Sequence, residues 1–555
     1  MRDSMIPMTR TADLIDGFAP HSAGAAERYR AAGLFGGRPL GHLLESAARD
    51  HPDRPAVTDA SIDGPRTLTY AQLHTAVARR AAGLAAAGLR PGDRAVLQLH
   101  NSAELAITFF GLLRAGVVPV MTLPAHRITE IAHLAERSGA VAYITEDGRR
   151  GFDHRDVATQ LCGRVPSIAT VFVDGEPGPF APLPDADPAT ATLPAEGDTN
   201  PSLPALLLIS GGTTGLPKLI ARTHDDYVFN ARRSAVVTGL GVDDTYLVAL
   251  PGAHNFPLCC PGILGTVSVA GHLVFTDNPS PDHAFELIER HRVTVTALVP
   301  ALAQVWRAAT EWEPADLSSL RLLQVGGAKL GESDAVGIDA ALGDVVQQVF
   351  GMAEGLICYT RLDDPRDLVH TTQGIPMSTF DEIRIVDENG EKVADGAEGE
   401  LLVRGPYTIR GYYRADEHNA RSFTPDGYYR SGDRVRRLPS GHLAVTGRIK
   451  DTIVRAGENV AADDVEEHLI AHPAIRQAAV IGLPDEALGE RICAVVVVSP
   501  DHPRDRALTL RDARTFLTAR GLASFKLPDT LTVVASLPTT AVGKIDKQAV
   551  RARLS

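Results

Sequence analysis

Residues 205–218 read ALLLISGGTTGLPK, and this stretch decides the fold. The apolar run 205–209 predicts a buried strand, because it is short, continuous and followed closely by glycine. The glycines after it let backbone amides turn inward, and the hydroxyls and the lysine add donors directed into the same space. This pattern predicts a polyphosphate-binding loop formed by Ser210, Gly211, Gly212, Thr213, Thr214, Gly215 and Lys218.

The same loop has a plainer interpretation as a flexible hairpin or linker rich in glycine and threonine. The strand before it and the lysine after it favour phosphate binding. It is not a Walker A loop, because Pro217 precedes Lys218 and Leu219 follows it, where Gly-Lys-Ser/Thr is required. A P-loop phosphotransferase is therefore disfavoured.

Length and composition set the class of protein. A chain of 555 residues, 44% of them hydrophobic, predicts more than one globular domain. The formal charge of −13, without a basic run, argues against nucleic acid as the main ligand. Five cysteines without a CxxC pair predict a reduced, cytoplasmic setting. We expect neither an export signal nor a membrane span, because no apolar run reaches about 18 residues.

Helical and strand patterns alternate through most of the chain, which predicts a parallel sheet with helices on both faces. Residues 1–36 are interpreted as an arm on the main domain, and residues 182–204 as a surface loop. The predicted helices are 70–87, 103–116, 284–291 and 301–309, and the predicted strands are 94–99, 117–121, 141–145, 294–300 and 320–327.

The pattern changes in the last third of the chain. From about residue 380 to 446 short strands and turns predict a small β subdomain. After GRIKD (447–451) a compact α+β segment begins, with a helix at 461–472, strands near 477–482 and 492–498, and a last helix from about Leu508.

The segment SGGTTGLPK followed by LIARTHDDY (219–227) resembles the phosphate loop of the adenylate-forming superfamily, which comprises acyl-CoA synthetases, peptide-synthetase adenylation domains and luciferases. RTHDDY is most similar to the stand-alone aryl-acid branch, the salicyl-AMP and 2,3-dihydroxybenzoyl-AMP ligases. The resemblance covers nearly all of 25–555. It implies an α/β fold whose large N-terminal domain, 1–449, has stacked, mostly parallel sheets with helices and the β subdomain. A small, mobile α+β C-terminal domain, 450–555, follows.

Further motifs resemble the nucleotide site of that superfamily. In VFGMAEG (349–355) the resemblance implies that Phe350 stacks on adenine and that Glu354 binds magnesium; alone, such an acid is typical of a helix cap or a surface charge. Asp433, in YYRSGD, would accept the ribose hydroxyls, and otherwise reads as a turn aspartate. ATP and Mg²⁺ are the implied cofactors. The remaining implied ATP-binding residues are Gly326, Gly327, Ala328, Val349, Gly351 and Arg448.

Two lysines are implied to act in catalysis. Lys544, in PTTAVGKIDK (538–547), resembles the lysine that bridges the carboxylate and the α-phosphate during adenylation. Lys450 resembles the hinge whose rotation removes that lysine and opens a route for a thiol. The implied thiol is the phosphopantetheine of an aryl carrier protein acting in trans, because the chain has no carrier-type Gly-Asp-Ser-Leu segment. CoA is the alternative acceptor.

The stretch PGAHNFPLCCPG (251–262) resembles the acid pocket of the aryl-acid branch. The resemblance implies that His254 is a catalytic residue that gates the pocket and that Asn255 is the amide in contact with the substrate. An amide suits an ortho-hydroxyl because it both donates and accepts hydrogen bonds. Alternatively, the His-Asn pair is a feature of a turn, and the two adjacent cysteines are small buried packing residues. The residues expected to contact the acid are Asn255, Phe256, Cys260, Gly327, Val349 and Ile357.

Two of these positions favour salicylate. The position of Cys260 resembles one that is serine-like in 2,3-dihydroxybenzoate ligases and cysteine-like in salicylate ligases. Ile357 lies where the dihydroxybenzoate enzymes are similar but carry a smaller valine. We therefore expect salicylate activation and loading of a carrier in siderophore or aryl-capped natural-product biosynthesis. The alternatives are 2,3-dihydroxybenzoate, an aryl-CoA ligase, or a non-catalytic nucleotide-binding relative. The presence of Lys544, Glu354 and Asp433 speaks against the last.

Overall fold

The structure is a computed structural model. It describes residues 10–61, 64–149, 151–195, 198–210, 217–327, 329–448, 452–499, 508–538 and 547–554.

Up to the phosphate-loop strand, short strands alternate with amphipathic helices that begin at side-chain caps, such as Thr69 and Ser102. The elements are α1 (Arg10–Ile15), α2 (Ala23–Ala31), α3 (His42–Asp50), β1 (Pro55–Asp59), β2 (Arg66–Thr69), α4 (Tyr70–Ala86), β3 (Arg94–Leu97), α5 (Ala103–Arg114), β4 (Val118–Met121), α6 (Ile128–Ser138), β5 (Ala142–Glu146), β6 (Gly148–Arg149), β7 (Phe152–Asp153), α7 (His154–Arg164), β8 (Thr170–Asp174), β9 (Ala181–Pro182), a 3₁₀ turn (Pro188–Thr190) and β10 (Pro204–Ser210).

The alternation continues beyond the loop and then gives way to antiparallel strands. The elements are β11 (Lys218–Thr223), α8 (His224–Val237), β12 (Thr245–Val248), α9 (Asn255–Cys259), α10 (Gly262–Ser268), β13 (His272–Phe275), α11 (Pro281–His291), β14 (Val295–Leu298), α12 (Pro300–Ala309), β15 (Leu322–Gly326), α13 (Glu332–Leu342), β16 (Val346–Gly351), β17 (Ile357–Tyr359), α14 (Arg366–Thr371), β18 (Ile375–Pro376), β19 (Glu382–Val386), β20 (Glu398–Arg404), α15 (Asp416–Ser422), β21 (Tyr429–Arg437) and β22 (Leu443–Arg448).

The C-terminal segment has its own sheet. Its elements are β23 (Thr452–Arg455), β24 (Glu458–Ala461), α16 (Ala462–Ile470), β25 (Ile475–Asp485), β26 (Gly489–Val498), α17 (Leu510–Ala519), a 3₁₀ turn (Ser524–Lys526), β27 (Thr530–Val533) and α18 (Lys547–Leu554).

Two large sheets form the centre of the described N-terminal part. One has the strand order β18-β17-β16-β15-β14-β12-β13-β1-β2 and the other β11-β10-β4-β3-β5-β8-β9. The inner pairs are parallel, such as β14 with β15 and β3 with β4, which confirms the predicted parallel sheets. The largest apolar core joins both sheets to helices α4, α5 and α10, and further cores cover the outer faces. The fold is thus layered, with the helical layer between the sheets buried on both sides.

The predicted phosphate loop joins an antiparallel pair. Strand β10 pairs in parallel with β4 and antiparallel with β11, so that Ser210 lies opposite Lys218. The predicted buried strand is confirmed, since 204–208 are buried in β10. The lysine lies on a strand, at its first residue, where the sequence indicated only a loop.

The antiparallel strands β19 to β22 lie where the sequence predicted short strands and turns. In the C-terminal segment, α16 and α17 pack on one face of the sheet and α18 on the other. The helix predicted from about Leu508 is confirmed and begins at Leu510, but the prediction that it is the last helix was wrong, because α18 follows it. Helix α18 has a weak apolar pattern: among its described side chains, Val550 and Leu554 join the core on that face. The boundary between an N-terminal domain, 1–449, and a C-terminal domain, 450–555, stays a prediction.

Among the described residues no helix is both long and apolar enough to cross a membrane.

Candidate active site

A cavity of about 390 Å³ lies where the large sheets, the antiparallel strands and the C-terminal segment meet. It brings together twelve of the residues predicted from the sequence, although their motifs are spread over more than two hundred positions. These are Ser210, Lys218, His254, Asn255, Phe256, Cys260, Gly327, Val349, Gly351, Glu354, Ile357 and Asp433.

Two predicted residues lie in the part of the chain that the structure describes but do not line this cavity: Gly326 and Phe350. Gly326 lies beneath it, where an added Cβ would be 3.1 Å from the ring of Phe256. Phe350 is half-buried and packs against the main core. The backbone of Arg448 pairs with Asp433 across β21 and β22. Outside the described residues lie Gly211, Gly212, Thr213, Thr214, Gly215, Ala328, Lys450 and Lys544.

The phosphate-loop end of the cavity carries a cation beside an aromatic ring. The Nζ atom of Lys218 lies 5.4 Å from the ring centre of Tyr412. At this distance the ring quadrupole attracts the ammonium group, which holds the lysine at the edge of the cavity. Tyr412 could not be predicted from the sequence, because its segment follows neither a helical nor a strand period.

Glu354 is only 6% exposed, yet it lines the cavity. The hydroxyl of Tyr412 donates to its Oε1 at 2.7 Å, and the hydroxyl of Tyr429 lies 2.9 Å from that of Tyr412. One carboxylate oxygen is thus oriented by a tyrosine. Carboxylate oxygens are the ligands that Mg²⁺ prefers, so this donor fits the magnesium predicted from the sequence.

His254 caps helix α9. Its Nδ1 accepts a hydrogen bond from the backbone N–H of Phe256 at 3.4 Å, which places the ring proton on Nε2. Burial lowers the pKa of His254 to about 4, so the imidazole is neutral at physiological pH. It can therefore donate from Nε2, and it does not supply a positive charge to a carboxylate.

Asn255 is held on two sides. The hydroxyl of Tyr227, buried in α8, donates to its Oδ1 at 2.8 Å. Its Nδ2 lies 3.6 Å from Sγ of Cys260, and that thiol lies 3.6 Å from the backbone oxygen of Asn255. Burial raises the pKa of Cys260 to about 12, so the thiol keeps its proton and donates to this oxygen. The structure therefore brings the predicted Asn255 and Cys260 into contact.

Ile357 forms part of the cavity wall and is supported from behind. Its backbone N–H donates to the hydroxyl of Tyr407 at 3.1 Å, and that hydroxyl donates to Oδ2 of Asp381 at 2.7 Å. Burial raises the pKa of Asp381 to about 7. The predicted wall residue thus rests on a buried chain of hydrogen bonds.

The C-terminal segment contributes Gly457 to the cavity lining. This glycine, in the turn between β23 and β24, has φ +84°, a conformation that glycine adopts without strain. A Cβ at this position would be 2.3 Å from Cγ1 of Val299, and its Cα lies 3.8 Å from where a Cβ of Gly327 would be. The backbone of the C-terminal segment at Gly457 therefore packs closely against the N-terminal part of the chain, with no room for a side chain between them.

A buried ion cluster joins the same two parts. Nζ of Lys526 lies 3.0 Å from Oε1 of Glu130 on α6 and 2.9 Å from Oδ2 of Asp464 on α16. All three residues are at most 5% exposed. Burial alone lowers the pKa of Lys526, but the two carboxylates outweigh it and raise that pKa above its ordinary value. The cluster is a charged contact between segments that the sequence did not indicate.

The chain belongs to the AMP-binding enzyme family, whose model matches residues 44–413, and the model of the AMP-binding enzyme C-terminal domain matches residues 464–544. It is 52% identical to the salicyl-AMP ligase / salicyl-S-ArCP synthetase of Mycobacterium tuberculosis, over 97% of this chain and 94% of that protein. It is 47% identical to the 2,3-dihydroxybenzoate-AMP ligase of Bacillus subtilis, over 98% of each. The apo structure of MbtA from Mycobacterium smegmatis is 52% identical, with a TM-score of 0.75, over 98% of this chain and 99% of that one. The predicted superfamily and fold class are confirmed.

Proposed function

We propose that the chain activates salicylate with MgATP to give salicyl-AMP and pyrophosphate, and then transfers the acyl group to the phosphopantetheine thiol of a separate aryl carrier protein. The observation that carries this proposal is the shared cavity, which places Asn255 and Cys260 in one space with Lys218 and Glu354. Joining a carboxylate to a nucleotide asks little covalent chemistry of a protein. It requires positioning and charge neutralisation, for which this set of residues is suited.

In this scheme Ser210 and Lys218 bind phosphate, and Asp433 meets the ribose. Magnesium would be held by Glu354 and would offset phosphate charge. Lys218, whose ammonium group is held beside Tyr412, supports the first of these roles. The roles of Lys544, of the loop glycines and threonines outside the described residues, and of Phe350 stay predictions from the sequence.

The acid end supports an uncharged ring with an ortho-hydroxyl. Asn255 presents an amide, His254 is neutral, and Cys260 and Ile357 are 2% and 1% exposed in their wall. A 3-hydroxyl at this wall would meet a protonated thiol and an alkyl group, which are poor partners. The higher identity to the named salicyl-AMP ligase agrees with salicylate, and 2,3-dihydroxybenzoate is the second candidate.

The arrangement of the C-terminal segment supports the thiol-transfer step. The sheet order β24-β23-β26-β25 places the Gly457 turn at one edge, facing the cavity. Lys547 pairs with Glu466, which also accepts from the backbone N–H of Val480 on the opposite edge strand β25. The edge strands β24 and β25 are three strand spacings, or about 14 Å, apart. The Gly457 turn therefore faces the cavity, while Lys547 lies near the far edge of the sheet. We therefore propose that this arrangement serves thiol transfer, and that rotation at Lys450 brings Lys544 to the cavity for adenylation.

ATP–pyrophosphate exchange tests the proposal directly. Benzoate, salicylate, 2,3-dihydroxybenzoate and an amino acid are compared as substrates, and salicylate is expected to give the highest kcat/KM. Loading is then measured with a phosphopantetheinylated aryl carrier protein and with CoA, and the carrier is expected to be the better acceptor. Absence of exchange with every acid would identify a non-catalytic nucleotide-binding protein.

A further inference from the structure

The hydrogen bond between Tyr227 and Asn255 determines which end of the Asn255 amide is offered to a substrate. Tyr227 is fully buried and its hydroxyl donates to Oδ1 at 2.8 Å. The thiol of Cys260 is oriented consistently, since its sulfur lies beside Nδ2 while it donates to the backbone oxygen of Asn255. The three groups form one chain of donors and acceptors in which Oδ1 of Asn255 faces the buried Tyr227, a residue outside the cavity lining, while Nδ2 faces Cys260.

The ring of Tyr227 is itself fixed. The guanidinium of Arg222, also fully buried, lies 4.8 Å from the centre of that ring. Arg222 in turn donates to Oδ1 of Asp226 at 2.9 Å and to the backbone oxygen of Ala353 at 2.9 Å. A hydroxyl on a ring held this way has little freedom to release Asn255.

We infer that Tyr227 is a positioning residue that turns the Asn255 oxygen away from the substrate and leaves the amide N–H as the group offered, so that the site selects aryl acids whose ortho substituent accepts a hydrogen bond. The inference rests on the proposed function. In salicylate the phenolic O–H donates to the neighbouring carboxylate, and its oxygen lone pairs remain available to the Asn255 N–H. In anthranilate the ortho amine also donates internally, but its lone pair is delocalised into the ring and accepts poorly.

An acid without an ortho acceptor leaves a buried donor unsatisfied. The free-energy cost of leaving the Asn255 N–H unsatisfied corresponds to a preference for salicylate over anthranilate of about 5- to 150-fold in kcat/KM. Removal of the Tyr227 hydroxyl frees the amide to turn and to offer its oxygen to an amine. The preference then narrows, although the residues that contact the ring are unchanged.

The experiment measures pyrophosphate exchange with salicylate, anthranilate and benzoate on the wild-type chain and on Tyr227→Phe. We expect the salicylate-to-anthranilate ratio to fall about tenfold in the variant, while benzoate, which has no ortho substituent, changes by less than about twofold. An equal loss on all three acids would assign Tyr227 a structural role and overturn the inference.

A second variant keeps the test decisive if Tyr227→Phe does not fold. In Asn255→Asp the Tyr227 hydroxyl retains an acceptor, and the other oxygen faces the ortho position as an acceptor. The ratio is expected to invert in favour of anthranilate, and an unchanged preference for salicylate would overturn the assigned orientation. If the wild-type chain activates none of the aryl acids, the proposed function fails as well. If it activates salicylate and neither variant shifts the ratio, this inference alone fails.

Discussion

Nζ of Lys526 lies 3.0 Å from Oε1 of Glu130, so a residue of the C-terminal segment forms an ion pair with α6, a helix that packs on the sheet containing β3, β4 and β5. Asp464 shares the same ammonium group. Removal of the cation from a buried cluster leaves two uncompensated carboxylates, and such a loss typically costs about 3–5 kcal/mol. The contact therefore stabilises the observed arrangement of the two parts of the chain.

We predict that Lys526→Met slows transfer of the acyl group to the carrier by about tenfold or more and spares adenylation. The reason is that the cluster holds the arrangement proposed for thiol transfer. The two half-reactions are measured separately, by carrier loading from supplied salicyl-AMP and by pyrophosphate exchange. Lys392→Met is the matched control, because the side chain of Lys392 is 80% exposed. Equal slowing of both half-reactions would contradict the assignment.

Replacement of Lys544 with Ala is predicted to reduce adenylation by about 100- to 1,000-fold, the range for loss of a donor to a developing charge. Carrier loading from supplied salicyl-AMP is expected to remain largely intact, because the lysine serves the first orientation only. Lys547→Ala is the control, since that lysine lies three residues away and pairs with Glu466. A parallel loss in both steps would argue against two orientations.

The double variant Cys260→Ser with Ile357→Val is predicted to narrow or invert the preference for salicylate over 2,3-dihydroxybenzoate. The wild-type preference is expected to be about 10- to 100-fold, because an unsatisfied 3-hydroxyl and a crowded wall both oppose the second acid. The variant supplies a hydroxyl partner and removes one methylene. Both acids are measured on the single and double variants, which we expect to be non-additive. Loss of thermal stability with an unchanged ratio would place both residues in the core alone.

The pH dependence of stability is predicted to report on Asp381. Its carboxyl titrates near 3.8 when unfolded, whereas burial raises its pKa to about 7 in the folded protein. Between these values the folded state binds the additional proton, so the free energy of unfolding falls as pH rises from about 4 to about 7. Above pH 7 the contribution is constant.

Asp381→Asn removes this proton and therefore flattens the profile. We expect Tm of the variant, relative to wild type, to rise by about 2 °C or more between pH 5 and pH 7.5. The control is Asp395→Asn, whose side chain is fully exposed. Parallel pH profiles for wild type and Asp381→Asn would show that the carboxyl is ionised in the folded state.

Local patterns were enough to predict most of the layered fold. The apolar strand before Ser210 and the helix from Tyr70 follow simple periods, and the structure has both. Helix α18 was missed, because Val550 and Leu554 are the two large apolar residues of a short segment that otherwise consists of alanine, glutamine, lysine and arginine.

For the candidate site, too, some residues could be predicted from the sequence and others could not. Asn255 and Glu354 belong to contiguous motifs that the chain displays in order, so the resemblance was sufficient to find them. Tyr227 and Tyr412 act on those residues from other elements, α8 and the segment after β20. Lys526 meets Glu130 across 396 positions of sequence. Contacts of this kind depend on how the elements pack, which no local period encodes.

The neutral state of His254 affects how long an intermediate stays bound. A free aryl carboxylate that enters this pocket must leave water without gaining a positive charge from the imidazole, and such a transfer is unfavourable. Once the carboxylate is joined to the nucleotide, that negative charge is gone from the acyl group. The pocket is then better matched to the activated acyl group than to the free acid. On the proposed function, this difference favours retention of the reactive mixed anhydride in the pocket, away from bulk water, until a thiol arrives.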